Sequence, residues 1–271
     1  MKLIICETCG TQYREAIKAT GLCPICSDDR QYIGDNGEQW TDMDELRNNH
    51  HVKITQINER LYTVKVDPAF ALGHRAFLVL SPGGNVLWDC IPLLDSATID
   101  FINSKGGLKA IVFSHPHYYS AMNEWAAVFI CPIYIHQNDR EFIFYHSDNV
   151  KLWDGDAHPL WEDMSIVHIG GHFPGSSVLR VASLSPKGAI LAGDSFYLSK
   201  SKRHIAVMYS YPNQILLTKK EFAEVHRKSA GLTFDTWYGA FDGQNLEGSA
   251  YDVFTASMQR YMAAYEISPS Y

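Results

Sequence analysis

The chain has 271 residues, of which 46% are hydrophobic and 20% are charged, and its formal net charge is −7. This composition is typical of a globular protein with one large core, and the acidic balance argues against nucleic acids and anionic membranes as main partners. Because no apolar run is long enough for a membrane span or a signal-peptide core, the sequence predicts a cytoplasmic protein.

Four of the six cysteines form two Cys-x-x-Cys pairs near the N-terminus, Cys6 with Cys9 and Cys23 with Cys26. Thiolates three residues apart in a tight turn can both face one ion, and two such turns complete a tetrahedral zinc site. The spacing predicts a structural zinc ribbon, because a redox-active pair would need a βαβ context that this segment lacks. We therefore predict two domains: residues 1–50, the ribbon with a polar connector, and residues 51–271.

The charge of residues 1–50 limits what the ribbon can contact. This segment contains five Lys or Arg against nine Asp or Glu, and four zinc-bound thiolates add further negative charge. Such a surface repels phosphate, so a nucleic-acid finger is disfavoured. Packing against the main domain, or a contact with another protein, is the better interpretation.

After residue 50 the sequence alternates β-type runs with helix signals. Branched and aromatic residues between turn signals predict strands at 52–57, 61–66, 76–80, 86–88, 110–113, 133–135, 166–169, 178–182 and 189–192. Helices are predicted at 43–48, at 96–104, after a capping box of Thr218 and Glu221, and after Ser249. Two similar halves of this kind predict an α/β (α+β) protein, an αββα sandwich with a site where loops leave the strands.

Metal-binding residue types follow three of the predicted strands. His115 and His117 come after the strand at 110–113. His172 follows a Gly-Gly turn after the strand at 166–169. Asp194 follows Gly193 after the strand at 189–192. Imidazole and carboxylate groups are ligands of divalent metals, and three strand ends that deliver them are hard to explain by packing. The pattern therefore predicts one metal site.

These motifs resemble the metallo-β-lactamase fold superfamily of metallohydrolases over about residues 52–245. The specific matches are Gly-His-Phe-Pro-Gly-Ser at 171–176, Ala-Gly-Asp at 192–194 and Leu-Trp-Asp at 87–89. The resemblance implies the αββα fold and a metal held by His115, His117, His172 and Asp194. It also implies that Asp89 hydrogen-bonds a ligand histidine and fixes its tautomer.

The chain departs from the superfamily pattern at residues that hold the second ion in two-metal enzymes. Tyr119 stands where the superfamily has Asp, Ser120 where it has His, and residues 238–241 lack the late histidine. The resemblance therefore implies a mononuclear site that holds zinc or iron. A less characterised branch, with a Cys-Pro-Ile-Cys knuckle ahead of a Ser-His-Pro-His motif, is similar to this chain over its full length.

By resemblance, the chain is a hydrolase whose metal-bound hydroxide attacks an ester, thioester, lactone, amide or phosphoester of a small molecule. Asp194 would ligate the metal or accept a proton as general base. Tyr119 would donate a hydrogen bond to a developing oxyanion, or would only fill the space of the lost ligand. Glu124 is a further base or a solvated carboxylate, and Asp242 is a candidate substitute ligand for a second metal. Basic residues at 200–204 bind an anionic substrate group or form an exposed loop.

Two other functions stay open at this stage. A mononuclear iron sulfur dioxygenase of the same superfamily would use His115, His172 and Asp194, although Tyr119 replaces the expected Asp and no thiol-substrate signature is visible. A non-catalytic binding module, stabilised by metal and docked through its ribbon, would have lost its second-metal residues. The metal content of the purified protein distinguishes these alternatives.

Overall fold

The structure is a computed structural model that describes residues 3–161 and 163–267. It divides into two compact units, with the division between Trp153 and Asp154. This division lies inside the predicted main domain, and the predicted boundary after residue 50 stays a prediction. Within the described ranges, no helix combines the length and the hydropathy that a membrane crossing requires.

The first unit is built mainly from strands. In chain order these are β1 (Leu3–Cys6), β2 (Gln12–Arg14), β3 (Trp40–Thr41), β4 (His51–Asn58), β5 (Leu61–Asp67), β6 (Arg75–Val79), β7 (Val86–Trp88), β8 (Ala110–Val112), β9 (Ile133–His136) and β10 (Val150–Trp153). The α-helices are α1 (Met43–Asn49), α2 (Ser96–Ser104) and α3 (Met122–Phe129), and 3₁₀ turns span Glu15–Thr20, Pro116–Tyr118 and Gln137–Phe142. The predicted helices at 43–48 and 96–104 are confirmed.

Two sheets form in this unit. A small antiparallel sheet, with strand order β2-β1-β3, belongs to the cysteine-rich segment. The larger sheet has the order β10-β9-β8-β7-β6-β5-β4, antiparallel from β4 to β7 and parallel from β7 to β10. Strands β6, β7 and β8 are buried along their whole length, so both faces of the sheet are covered here. Strands β7 and β8 are parallel. The carboxyl ends of β7 and β8 therefore reach the same sheet edge.

The second unit repeats this plan with shorter strands. In chain order its elements are β11 (Ala157–Pro159), β12 (Met164–His168), β13 (Ser177–Val181), β14 (Ala189–Leu191), β15 (Tyr197–Leu198), β16 (Ile205–Ala206), β17 (Met208–Ser210), β18 (Ile215–Leu216), α4 (Lys219–Ser229), β19 (Thr236–Tyr238), β20 (Asn245–Leu246) and α5 (Ala250–Ala264). The main sheet has the order β11-β12-β13-β14-β19-β20, and β15-β16 and β17-β18 are separate two-stranded ribbons.

Helices α4 and α5 cover an aromatic core in the second unit. Helix α4 begins at the predicted capping box, in which the Thr218 side chain accepts from the Glu221 amide and the Glu221 side chain accepts from the Thr218 amide. Helix α5 presents the predicted stripe, since Phe254 and Met258 are buried against Trp237. Both helix predictions are confirmed, because their apolar spacing matched the face that the core required.

Candidate functional site

The four N-terminal cysteines form one buried cluster. Their sulfur atoms all lie within 4.8 Å of one another, with Cys6 and Cys26 3.7 Å apart and Cys9 and Cys23 3.6 Å apart. Zn–S bonds of about 2.3 Å in a tetrahedron require sulfur separations of about 3.8 Å. All four thiols are free, so these distances fit a shared tetrahedral ion rather than disulfide bonds.

Tight turns bring the cysteine pairs together. The Gly10 amide donates to the Cys6 carbonyl over 2.8 Å, and Gly10 adopts a left-handed φ of 80°. The second pair is closed by the Ser27 amide, which donates to the Cys23 carbonyl over 2.9 Å. Burial raises the pKa of the Cys9 thiol, whereas a hydrogen bond from Cys26 lowers the pKa of Cys23. A bound cation would favour the thiolate form of all four.

The cysteine unit packs against the rest of the first unit. The Gln12 amide donates to the Ser120 carbonyl over 3.0 Å, and Gln12 Nε2 donates to Glu124 over 3.0 Å. Arg47 also donates to the Glu124 carboxylate over 3.0 Å. These contacts agree with the predicted packing of the ribbon on the main domain. They also give Glu124, one of the candidate bases, a tethering role with two donors.

The loop that carries His115 is fixed by Asp89 at the end of β7. Both the amide and the hydroxyl of Ser114 donate to the same Asp89 carboxylate oxygen, each over 2.8 Å. Nδ1 of His115 lies 2.8 Å from the Ser114 hydroxyl oxygen. Because that hydroxyl donates its hydrogen bond to Asp89, it must accept the hydrogen bond from the N–H at Nδ1. The tautomer of His115 therefore leaves the lone pair on Nε2, the nitrogen available for a metal.

His115 and His117 form one half of the predicted site. A ring nitrogen of each lies within 4.8 Å of the other, and the ring centroids are 5.1 Å apart. Both side chains are buried, at 1% and 3% exposure. Since a buried imidazole pair at a sheet edge has no packing advantage over apolar residues, the pair is suited to ligation.

Tyr119 takes the place of the superfamily Asp and is 2% exposed. Its ring packs edge-on against Phe113, with centroids 5.1 Å apart. Burial raises the pKa of its phenol well above the usual range, and the nearby charges of Asp139 and Asp89 raise the pKa further. Within the described residues the hydroxyl has no hydrogen-bond partner. Tyr119 is therefore a protonated donor at neutral pH.

A further buried histidine, His74, supports the loop that carries His115 and His117, and the sequence did not single it out. The ring of His74 stacks on Tyr118 at a centroid distance of 4.1 Å, and Tyr118 in turn packs edge-on against His115 at 4.4 Å. Nε2 of His74 donates to the Cys90 carbonyl over 2.6 Å. Burial lowers the pKa of His74 to about 4, so this ring is neutral at neutral pH.

In the second unit, His172 stands on a loop between β12 and β13 that requires glycine. Gly170 and Gly171 have φ values of 74° and 81°. A Cβ on Gly171 would lie 2.8 Å from Cγ2 of Val225, so no side chain fits there. The loop is closed by Ser176, whose hydroxyl accepts from the Phe173 amide over 2.8 Å. These contacts give the Gly-His-Phe-Pro-Gly-Ser motif its physical basis.

The backbone of β17 sets the tautomer of His172. Nδ1 of His172 lies 2.7 Å from the Tyr209 carbonyl oxygen. Because a carbonyl only accepts, Nδ1 carries the proton and Nε2 carries the lone pair. The ring centroids of Tyr211 and His172 are 5.5 Å apart, and those of Tyr197 and Tyr211 are 5.2 Å apart. These aromatic neighbours were not predicted from the sequence.

Asp194 leaves β14 beside the His172 loop. Strands β14 and β19 are parallel, and the Ala192 amide donates to the Tyr238 carbonyl over 2.9 Å. The Ser195 hydroxyl donates to the Ser177 carbonyl, which ties the Asp194 turn to β13. A carboxylate oxygen of Asp194 and a ring nitrogen of His172 lie within 4.8 Å of each other. Asp194 is 8% exposed, so its charge sits in a largely dry environment.

At residues 238–241, where the resemblance leads one to expect a late histidine, Gln244 packs against the backbone. The Gly239 amide donates to the Gln244 carbonyl over 2.9 Å, and a Cβ on Gly239 would lie 2.8 Å from Cβ of Gln244. Asp242, the candidate substitute ligand, is exposed. The structure thus gives no buried setting for Asp242 of the kind that the His172 and Asp194 pair has.

One relative by sequence is an uncharacterized protein of Bacillus subtilis (strain 168), YmaE. It is 38% identical to this chain over 267 residues, which cover 97% of each protein. No protein-family model matches the chain. The match extends over both units.

Solved structures with the same fold include metallo-β-lactamases. DIM-1 metallo-β-lactamase is 13% identical, with a TM-score of 0.56 over 80% of this chain and 97% of its own. A B3 metallo-β-lactamase with an active-site glutamic acid is 17% identical, with a TM-score of 0.52 over 79% and 90%. VMB-1 is 12% identical, with a TM-score of 0.55 over 79% and 98%. The predicted fold is confirmed, with a four-cysteine unit at its N-terminus.

We predict that Cys26→Ser lowers the bound zinc by about one ion per chain, because three thiolates no longer complete the tetrahedron. The measurement is elemental mass spectrometry after dialysis against a weak chelator. Cys131→Ser is the matched control, since Cys131 is a buried thiol outside the cluster. Full zinc content in Cys26→Ser would contradict the four-cysteine assignment.

We also predict an acid-sensitive window that His74 creates. The unfolded chain protonates His74 below its ordinary pKa of 6.5, whereas the folded protein does so only near 4. Folding stability therefore falls as pH drops from 6.5 to 4, by up to about 3 kcal/mol. Urea unfolding of His74→Gln should show a pH dependence smaller by about this amount, while His146→Gln, at an exposed position, should match the wild type. An unchanged slope in His74→Gln would refute the prediction.

Proposed function

We propose that this chain, which belongs to the same family as YmaE of Bacillus subtilis and has the metallo-β-lactamase fold, is a metal-dependent hydrolase. The observation that carries the proposal is a set of buried donors, namely His115, His117, His172 and Asp194. Imidazole nitrogens and a carboxylate oxygen fit zinc or iron(II), and we assign all four residues to one such ion.

The protonation states on each half of the set support this assignment. The Ser114 hydroxyl accepts a hydrogen bond from Nδ1 of His115, and the Tyr209 carbonyl accepts one from Nδ1 of His172. Both rings therefore present Nε2 as a lone-pair donor. Asp89 acts on His115 through Ser114. A histidine held in the other tautomer would have to flip its ring or change its tautomer before Nε2 could bind a metal. These contacts therefore prepare the two nitrogens for a metal.

The reaction assigns different tasks to Asp194 and Tyr119. A bound metal ion supplies Lewis acidity and lowers the pKa of a water molecule to about 7. Asp194 ligates the ion or accepts a proton as general base. Tyr119, protonated because burial raises its pKa, would donate a hydrogen bond to the negative charge that develops on the substrate oxygen and would keep its proton. Asp89 and Ser114 position a ring and touch no substrate.

The substrate that we propose is a small molecule with an ester, thioester, lactone, amide or phosphoester bond. Hydrolysis of each bond places negative charge on oxygen, so the donor role of Tyr119 is common to all of them. The fold does not choose among these bonds, because one fold hosts many chemistries. The acidic ribbon supports neither nucleic acid nor anionic membranes as partners, and six free cysteines support a reducing, cytoplasmic setting.

The test of this proposal combines metal content with activity in the wild type and in His117→Ala. We expect two metal ions per wild-type chain and one in His117→Ala, because the four-cysteine zinc is independent of His117. Hydrolysis of 4-nitrophenyl acetate, dihydrocoumarin, nitrocefin or bis(4-nitrophenyl) phosphate should fall at least about 100-fold in the variant. His146→Ala, which removes an exposed histidine, is the control.

The other outcomes of this test separate the competing functions. One iron beside one zinc, with oxygen consumption on a persulfide substrate, would favour a sulfur dioxygenase over a hydrolase. Only the four-cysteine zinc, even after incubation with added metal, would favour a non-catalytic binding module. A full metal complement in His117→Ala would show that the site assignment is wrong.

We predict that Tyr119→Phe lowers kcat by about 100-fold on the best ester of that panel, with KM and metal content unchanged. The phenol acts only where charge develops, so substrate binding does not depend on it. Loss of a buried hydroxyl without a partner should leave the thermal midpoint unchanged or higher. Tyr251→Phe, at an exposed tyrosine, is the control. An unchanged kcat would mean that Tyr119 only fills space.

A further inference from the structure

A cavity away from the His172 and Asp194 pair lies between the β15-β16 hairpin and helix α5. Its volume is about 330 Å³, within the lower range of small-molecule pockets. The helix contributes Ser257, Arg260, Tyr261 and Ala264, which share one face by their spacing. The hairpin contributes Ser199, His204, Ile205 and Ala206. No Asp or Glu is among the described residues that line it.

The cavity has fixed walls. The Ile205 amide donates to the Ser257 hydroxyl over 2.9 Å, and the Val207 amide donates to the Tyr261 hydroxyl over 3.1 Å. These two bonds, one helical turn apart on α5, hold β16 against the helix. Ile205 and Ser257 are 1% and 2% exposed, so the floor of the cavity belongs to the packed core.

The loop at the end of this hairpin concentrates positive charge in an acidic protein. Lys200, Lys202 and Arg203 lie within four residues and are exposed, whereas the chain as a whole carries −7. In the described part of the chain, the side chains of these three residues and of Arg260 make no hydrogen bond or ion pair. Cations so close to one another repel, and no carboxylate relieves that repulsion.

The loop displays these cations in a set conformation. Ser199 and His204 close it: the Ser199 amide donates to the His204 carbonyl over 2.9 Å, and the His204 amide donates to the Ser199 hydroxyl over 3.3 Å. The Arg203 amide donates to the Ser201 hydroxyl. Lys202 occupies a left-handed φ of 59°, where Gly or Asn is favoured and other residues cost about 1 kcal/mol.

From these features we infer that the cavity binds a small organic phosphate, with the phosphate on Arg260 and His204 beside the cationic loop and an apolar group on Ala206 and Ala264. A guanidinium pairs with two phosphate oxygens at once, and His204 and Ser199 add polar groups beside it. The number of cations favours a dianion over a carboxylate. This binding site does not depend on the proposed hydrolase function.

The test is calorimetric titration of the full-length protein with phenyl phosphate, inorganic phosphate and benzoate at one fixed ionic strength. We expect phenyl phosphate to bind more tightly than inorganic phosphate, because only the former fills the apolar wall, and more tightly than benzoate, because of its second charge. Arg260→Met should weaken phenyl phosphate binding by about tenfold or more, and Arg260→Lys should recover part of that loss.

Two further variants keep the result interpretable. Lys202→Asn removes a cation while it relaxes the left-handed backbone, so phenyl phosphate affinity should fall about threefold without loss of thermal stability. Lys187→Met removes an exposed cation near the start of β14 and should leave affinity unchanged. Wild-type affinity in Arg260→Met, or equal affinity for phenyl and inorganic phosphate, would overturn the proposal. So would loss of binding in His117→Ala alone, which would assign the phosphate to the metal ligands.

Discussion

The hydrogen bond from the Gln12 amide to the Ser120 carbonyl joins the four-cysteine unit to the loop that carries His115 and His117. Ser120 has a φ of 45°, which would be strained without support. A backbone contact three residues from Cys9 supplies that support, so folding of the ribbon and shaping of the histidine loop belong to one unit.

His115 and His172 are oriented by two different kinds of acceptor. The Tyr209 carbonyl can only accept, so it alone fixes the tautomer of His172. The Ser114 hydroxyl can donate or accept a hydrogen bond. It fixes the tautomer of His115 only because it already donates its own hydrogen bond to Asp89. The left-handed φ of 62° at Asp89 directs that carboxylate back to the amide and hydroxyl of Ser114. The carboxylate thus reaches the imidazole through a hydroxyl relay, which the sequence alone did not indicate.

The features that the sequence predicted were those with local causes. The Cys-x-x-Cys turns, the capping box at Thr218 and the glycine turn before His172 are each decided within a few residues, and the longer strands carry their own apolar pattern. Strands β10, β11 and β19 were missed because each has only three or four residues, too few to carry an apolar pattern of their own. The contact between His172 and Tyr209 spans 37 residues, and no spacing in the sequence marks it.

The ribbon and the loop after His117 together enclose Tyr119. Thr11, Gln12 and Tyr13 of the ribbon line a gap of about 10 Å³ with Tyr119 and Ser120. Such a gap holds at most about one water molecule. The ring of Tyr119 also packs on Phe113, and its hydroxyl has no hydrogen-bond partner among the described residues. The phenol to which we assign a donor role is therefore held in place by packing rather than by a hydrogen bond, so its orientation depends on the folded ribbon.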